Sequence, residues 1–348
     1  MRQEVLQFLQ KEIDEKHIPG AVIQVQQNNE LILQEAIGYR SIYEQKAAMT
    51  IDTMFDLASL TKVVATTTAT LYLLDQGKIR LEDKVCQFIP DFIEEGKDMI
   101  TLRHLLSHTS GLPAALQLPQ GEITKEIIAD TVCHTKLGNK VGEKVVYSDI
   151  GFVALYLVIE AITQEPFEQF IKNHILQPLK MSHTSFNPNQ ASYKFAKTEY
   201  ADHLATYKNG LVHDENTERM GGISGHAGLF STISDLGHYA QMILNEGLFE
   251  DRQFLSPHSI RLSRRNFTAF DPLHRGIGWE LNGRYAASCG DYFPQNAFGH
   301  TGFTGTSMWF DPDINLAVTL LTNRVHYGRH PHMLSLRPRL HNMIRKHF

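Results

Sequence analysis

β-rich runs stand near both ends of this chain, and a long stretch of helical pattern separates them. Residues 21–27 and 31–36 flank Asn28-Asn29-Glu30 and predict a hairpin. Residues 306–310 and 316–321 flank Asp311-Pro312-Asp313, a turn with the expected chemistry, and predict a second one. We expect the two ends to pair into one antiparallel sheet flanked by helices, with the middle of the chain as a helical insert. That is an α+β layout, with residues 1–62 and 222–348 forming a discontinuous sheet domain and residues 63–221 a mostly helical one.

Apolar spacing fills in the helices. Val5, Phe8, Leu9 and Ile13 predict a first helix over 3–16, and a second pattern runs over 60–74 with Gly77 beyond it as a stop. Further helical patterns cover 101–106, 125–133, 150–162 and 167–175, whereas 186–222 is loop-rich. Thr232-Ile-Ser-Asp235 has capping-box form ahead of a helix over 236–244. Residues 276–281 read as a strand, and 333–346 as a last helix disturbed by Pro338.

Bulk properties remove several function classes. A formal net charge of −5 without basic runs gives no footprint for nucleic acid or an anionic membrane. Cys86, Cys133 and Cys289 are odd in number and far apart, which suits small buried hydrophobes in a reducing compartment rather than a disulfide framework. No run has the apolar length of a membrane span, and the first residues lack a signal-peptide core. As written, the chain reads as cytoplasmic; a periplasmic or extracellular place requires a removed leader.

Three segments carry chemistry. In Ser59-Leu60-Thr61-Lys62, a helix beginning near Ser59 puts positions i and i+3 on one face, so the lysine can reach the hydroxyl. A serine hydroxyl needs a neighbour to take its proton, and a helix N-terminus offers N–H groups where an oxyanion would form. Tyr147-Ser148-Asp149 lies just before a helix, and a phenol beside an ammonium can relay protons. By itself this segment also reads as a half-buried tyrosine followed by a Ser/Asp cap. Gly299-His300-Thr301-Gly302-Phe303-Thr304-Gly305 leads into a strand, and its glycines let the backbone approach a ligand closely. Alone it equally describes a hairpin turn.

In this order, the three segments resemble the active-site motifs of the penicillin-binding-protein/β-lactamase superfamily: Ser-x-x-Lys, Tyr-x-Asn and Lys/His-Thr-Gly. The tyrosine version resembles class C β-lactamases and their relatives, the D-alanyl-D-alanine carboxypeptidases, D-aminopeptidases and family VIII esterases. Phe55-Asp56-Leu57-Ala58, the segment Thr101-Leu-Arg-His-Leu-Leu-Ser-His-Thr-Ser-Gly-Leu112, and Gly228-Leu-Phe-Ser-Thr-Ile-Ser-Asp-Leu236 extend the likeness over about residues 18–323. The resemblance implies Ser59 as acylated nucleophile, Lys62 as its partner and Tyr147 as proton shuttle. It implies the Ser59 and Phe303 backbone N–H groups as oxyanion hole, with Asp149, His300, Thr301 and Gly302 lining the substrate side. It calls for no cofactor and no metal, and for a small-molecule or peptide-like substrate.

Two positions depart from the family pattern. Asp149 stands where asparagine is usual; ionised, it would favour charged Lys62, make Lys62 and Tyr147 poorer bases and lose an amide donor. His300 stands where lactam-recognising members usually have lysine, a weaker anchor for a carboxylate. Both departures predict that esters outrun β-lactams.

Eighteen histidines raise a metal reading. His104 and His108 have i, i+4 spacing, but no glutamate follows His104 as in a zinc helix, and the segment reads as a helix end with His108 near its C-terminal dipole. His330 and His332 read as a solvated tail. Gly221-Gly-Ile-Ser-Gly-His-Ala-Gly228 lacks the Lys-Ser/Thr ending of a phosphate loop; His226 there has two readings, contact with substrate or stabilisation of the turn. The sequence thus predicts a serine hydrolase for an ester or peptide-like amide, of esterase or D-amino-acid peptidase type, with weak β-lactamase activity at most. The competing reading is a non-catalytic binding module for peptidoglycan-like ligands. Oligomeric state is not readable.

Overall fold

A computed structural model describes residues 1–283 and 287–348. Its main sheet contains β1 (Gly20–Gln27), β2 (Glu30–Ser41), β3 (Ala47–Ala48), β4 (Glu280–Leu281), β5 (Phe298–Thr301), β6 (Ser307–Asp311) and β7 (Leu316–Thr322). The order is β4-β5-β6-β7-β1-β2-β3, antiparallel throughout. The two chain ends meet at the β1–β7 pair, with Ala21 opposite Thr322 and Val25 opposite Val318. The sheet is therefore the one expected, built from both ends.

Both predicted hairpins form. Asn28 and Asn29 take positive φ of 49° and 68°, the left-handed pair that a tight hairpin turn demands and that asparagine tolerates. The expected strand at 276–281 is reduced to Glu280–Leu281. Gly278 turns the chain at φ 76°, where a Cβ would meet Thr67 Oγ1 at 2.0 Å, so the segment bends around the helix carrying Thr67 instead of extending.

Period-2 alternation along β1 divides the core. Ala21, Ile23 and Val25 face a cluster with helix α1 (Arg2–Asp14) and the C-terminal helix Met333–Arg345. Val22 faces the opposite way, toward Leu236, Ala240 and Ile243 of the helix Ile233–Leu244. Thr232 caps that helix, but Asp235 does not close a capping box: its carboxylate accepts from His183 N–H and Thr184 Oγ1, each at 2.7 Å. Pro338 is accommodated inside the C-terminal helix. His332 at its start stacks on His17 at 4.0 Å, so it is not the solvated tail expected; His330 is exposed.

Between the sheet segments lie mostly helices and loops, including Leu102–Leu106, Lys125–His134 and Asp149–Thr163. The last of these is buried from Ile150 through Ile159 and forms the centre of the larger core. Among the described residues, no single helix is long and apolar enough to cross a membrane. The three cysteines are free, and burial pushes the Cys133 and Cys289 thiols up to about 11 and about 12.

Candidate active site

Ser59 stands at the start of the helical run predicted over 60–74. Residues Lys62–Thr67 wind as a π-helix before Thr68–Asp75 continues as α-helix. The run of threonines suits this: Thr68 Oγ1 donates to Val63 O at 2.9 Å and Thr70 Oγ1 to Thr66 O at 2.8 Å, satisfying carbonyls that the wider turn displaces. Immediately before Ser59, Ala58 takes φ 47°, a left-handed conformation costing about 1–2 kcal/mol for a residue with a Cβ. Buried Asp56 holds it there, accepting Ala58 N–H at 2.8 Å through one oxygen and His213 N–H at 2.6 Å through the other. Burial raises the Asp56 pKa against those two bonds.

Lys62 is fully buried. Its ammonium donates to Ser59 Oγ at 3.0 Å and to His226 O at 3.2 Å, lies 2.7 Å from Asp149 Oδ1 and sits 4.8 Å from the Tyr147 ring centre. Ser59 and His226 accept hydrogen bonds from the ammonium, and Asp149 forms the ion pair with it. Burial alone pulls the Lys62 pKa down; the Asp149 carboxylate and the Tyr147 phenol outweigh it and hold the ammonium above its ordinary range. Asp149 is thus an ion-pair partner, and the cap of its helix is Ser148, whose Oγ accepts Gly151 N–H.

The opposite wall is β5 and the turn after it. Gly302 N–H donates to Thr306 O at 2.7 Å, while Thr304 and Thr306 hydroxyls donate to Asp56 O and Leu57 O at 2.8 and 3.0 Å. These bonds lace the turn to the strand before Ser59. A Cβ on Gly302 would meet Leu57 O at 2.4 Å, so only glycine permits this approach. Neither Ser59 N–H nor Phe303 N–H has a protein acceptor among the described residues. His300 is buried; burial, then Arg275 and Lys62, hold it well below the usual imidazole range, and its Nδ1 donates to Thr301 O at 2.9 Å.

Ser59, Tyr147, His300, Thr301, Gly302 and Phe303 line one cleft of about 300 Å³. Four further residues line it that the sequence reading missed: Arg275, Glu280, Arg324 and Arg337. Arg337, on the C-terminal helix, donates to Gly302 O and Thr306 O at 3.0 and 2.9 Å, and burial pushes its pKa down to about 9. Arg275 lies 5.5 Å from the Tyr147 ring, and its Nε is buried with no partner among the described residues. Arg324 Nε donates to Phe303 O at 2.8 Å. Burial raises the Glu280 pKa, against the pull of Arg275 and Arg337. None of the three arginines pairs with a carboxylate within 4.0 Å among the described residues.

His226 turns its ring to Ser224 Oγ at 2.8 Å and Asp214 Oδ1 at 3.0 Å, so it stabilises the glycine-rich turn and offers only its carbonyl to the site. His104 is spent on the N-terminal cap of its helix, accepting Thr101 N–H at 3.1 Å. His108 directly follows the C-cap Ser107, at the helix end as expected, and its ring is buried against Tyr147.

The Beta-lactamase family matches residues 5–339. An N-acetylmuramyl-L-alanine amidase of Bacillus subtilis is 34% identical over 344 residues, covering 88% of this chain and 78% of its own. A Salmonella agona protein named as a D-alanyl-D-alanine carboxypeptidase is 32% identical, over 92% and 82%. Among solved structures, EstCE1, a hydrolase with promiscuous acyltransferase activity, superposes with TM-score 0.78 at 24% identity, over 97% of this chain and 98% of its own. The octameric penicillin-binding protein homologue from Pyrococcus abyssi superposes with TM-score 0.76 at 21% identity, over 96% and 75%. Sequence and fold together place the chain in the Beta-lactamase family, as a serine hydrolase.

Proposed function

We propose that Ser59 takes up the acyl group of a peptide-like amide or ester and that water then releases it. The observation that carries this reading is the 3.0 Å contact of Lys62 Nζ with Ser59 Oγ, with Tyr147 against the same ammonium. Once Lys62 has lost a proton, its amine takes the Ser59 proton as Oγ bonds to the substrate carbonyl carbon. Tyr147 protonates the leaving nitrogen or oxygen as its bond to carbon breaks. Water then attacks the ester on Ser59, the Tyr147 phenolate takes its proton, and Ser59 leaves as Lys62 returns the proton it took. The Ser59 and Phe303 N–H groups hold the oxyanion; donors in that role contribute about 3–4 kcal/mol each.

The substrate we favour carries a carboxylate. Three guanidiniums without carboxylate partners among the described residues face the cleft, so anion recognition belongs to Arg275, Arg324 and Arg337 rather than to neutral His300. The carboxypeptidase name of the Salmonella relative is in keeping with this choice. The Lys62–Asp149 ion pair is the one feature that favours a binding module, since a locked ammonium is no base.

A hydrolysis screen decides. A D-alanyl-D-alanine peptide, p-nitrophenyl butyrate and nitrocefin are offered to the protein and to Ser59→Ala. We expect turnover of the peptide or the ester, abolished in the variant. Binding of the peptide without turnover of any substrate would establish the module instead.

A further inference from the structure

His108 holds the residue on either side of Tyr147. Its carbonyl accepts Val146 N–H at 2.9 Å, and its Nδ1 accepts Ser148 N–H at 3.0 Å. Its ring lies 4.5 Å from the Tyr147 ring at 36°, backed on Phe152 at 5.2 Å and 33°. A left-handed backbone, φ 58°, turns carbonyl and side chain toward the same neighbour segment. His300 stands on Tyr147 at 5.9 Å, so the phenol ring is packed by two imidazoles.

The tautomer follows from these bonds. Nδ1 accepts, so the one proton of the neutral ring is on Nε2, which is buried and has no partner among the described residues. Burial, with Arg275, Lys62 and His300 adding repulsion, keeps the ring neutral and therefore keeps Nδ1 an acceptor. A charged His108 would lose the Ser148 bond.

We propose that His108 is the positioning residue of Tyr147: its two backbone bonds fix the main chain on both sides of the tyrosine, and its ring fixes the phenol against Lys62. This rests on the reading of Tyr147 as proton shuttle. A shuttle must hold its oxygen in reach of two partners in turn, and misplacement by about 1 Å costs roughly 100-fold in rate. His108 touches no reacting atom; it acts through the tyrosine.

The test compares His108→Gly and His108→Asn, because both residues accept left-handed φ while only asparagine offers an oxygen near the place of Nδ1. Activity is expressed per Ser59 titrated with a fluorophosphonate, so misfolded protein does not count. We expect His108→Gly to lower kcat about 100-fold with KM changed less than roughly twofold. His108→Asn should recover about tenfold of that loss, the worth of one buried hydrogen bond. In a Tyr147→Phe background, His108→Gly should cost nothing further, since the residue it positions is gone. Wild-type kcat in His108→Gly, equal kcat in the two variants, or an additive loss in the double variant would each overturn the proposal. Should His108→Gly not fold, nitrogen-15 NMR of the wild-type histidines decides at neutral pH. A proton on His108 Nε2 with Nδ1 bare is expected, and a proton on Nδ1 overturns it. Full activity in Tyr147→Phe would instead sink the shuttle reading itself.

Discussion

The two walls of the cleft balance charge differently. On the helical wall, Lys62 faces Asp149 at 2.7 Å, and cation and anion offset one another beside Ser59 and Tyr147. On the sheet wall, among the described residues, Arg275, Arg324 and Arg337 meet backbone carbonyls or aromatic rings, with Glu280 alone opposing their charge among the lining residues. On the proposed mechanism the helical wall transfers protons, because the Lys62 ammonium meets Ser59 Oγ and the Tyr147 ring together, and Asp149 sets the pH at which that ammonium gives up its proton. An unbalanced wall suits recognition, because guanidiniums left without carboxylates gain most from a ligand that brings one. Chemistry and selectivity are thereby assigned to different elements, and they should be separable by mutation.

The largest expected effect breaks the helical wall. Tyr147→Phe should lower kcat about 1,000-fold, within the range of general acid–base contributions, for neutral esters and carboxylate-bearing peptides alike. A loss confined to one substrate class would show that Tyr147 recognises rather than transfers.

A smaller and selective effect should come from the sheet wall. Arg275→Met keeps the length of the side chain and removes its charge. It should lower kcat/KM about tenfold or more for a substrate with a free carboxylate, the scale of one charged hydrogen bond, and leave p-nitrophenyl butyrate unchanged. Equal losses on both substrates would remove the distinction between the walls.

The smallest effect is a displacement along the pH axis. On the proposed mechanism acylation needs the free amine of Lys62, so kcat/KM should rise with pH through the Lys62 pKa, which Asp149 holds up. Asp149→Asn removes the carboxylate and leaves burial in charge. The acidic limb should then move to lower pH, by about one unit or more. An unmoved limb would mean that Lys62 does not titrate in the acylation step.

The helical wall was readable in the sequence because its groups sit in short motifs: Ser59 and Lys62 three residues apart, Tyr147 and Asp149 two. The same locality made the β1–β2 and β6–β7 hairpins readable, each being set by its own turn. Arg275, Glu280 and Arg337 could not be found this way. They come from a bent segment, an edge strand of two residues and a helix more than thirty residues past β5, and only the closed sheet brings them together. Arg337 sits beside Pro338 in a helix whose spacing alone gives no sign that it reaches the turn after β5. His108 was visible, but helical spacing paired it with His104; its left-handed φ, which turns it to Tyr147 instead, has no signature in a non-glycine residue. Asp56 holds the strained Ala58 through a carboxylate that also accepts His213 N–H from far along the chain, and that second bond forms only in the closed fold.

The proposed function requires a covalent bond to Ser59. Intact-mass spectrometry during turnover of a slow carboxylate-bearing amide or lactam tests it directly. One adduct of the acyl group's mass should appear, map to the peptide containing Ser59, decay with time and be absent from Ser59→Ala. Turnover without any adduct in rapidly quenched samples, or an adduct on another residue, would contradict it.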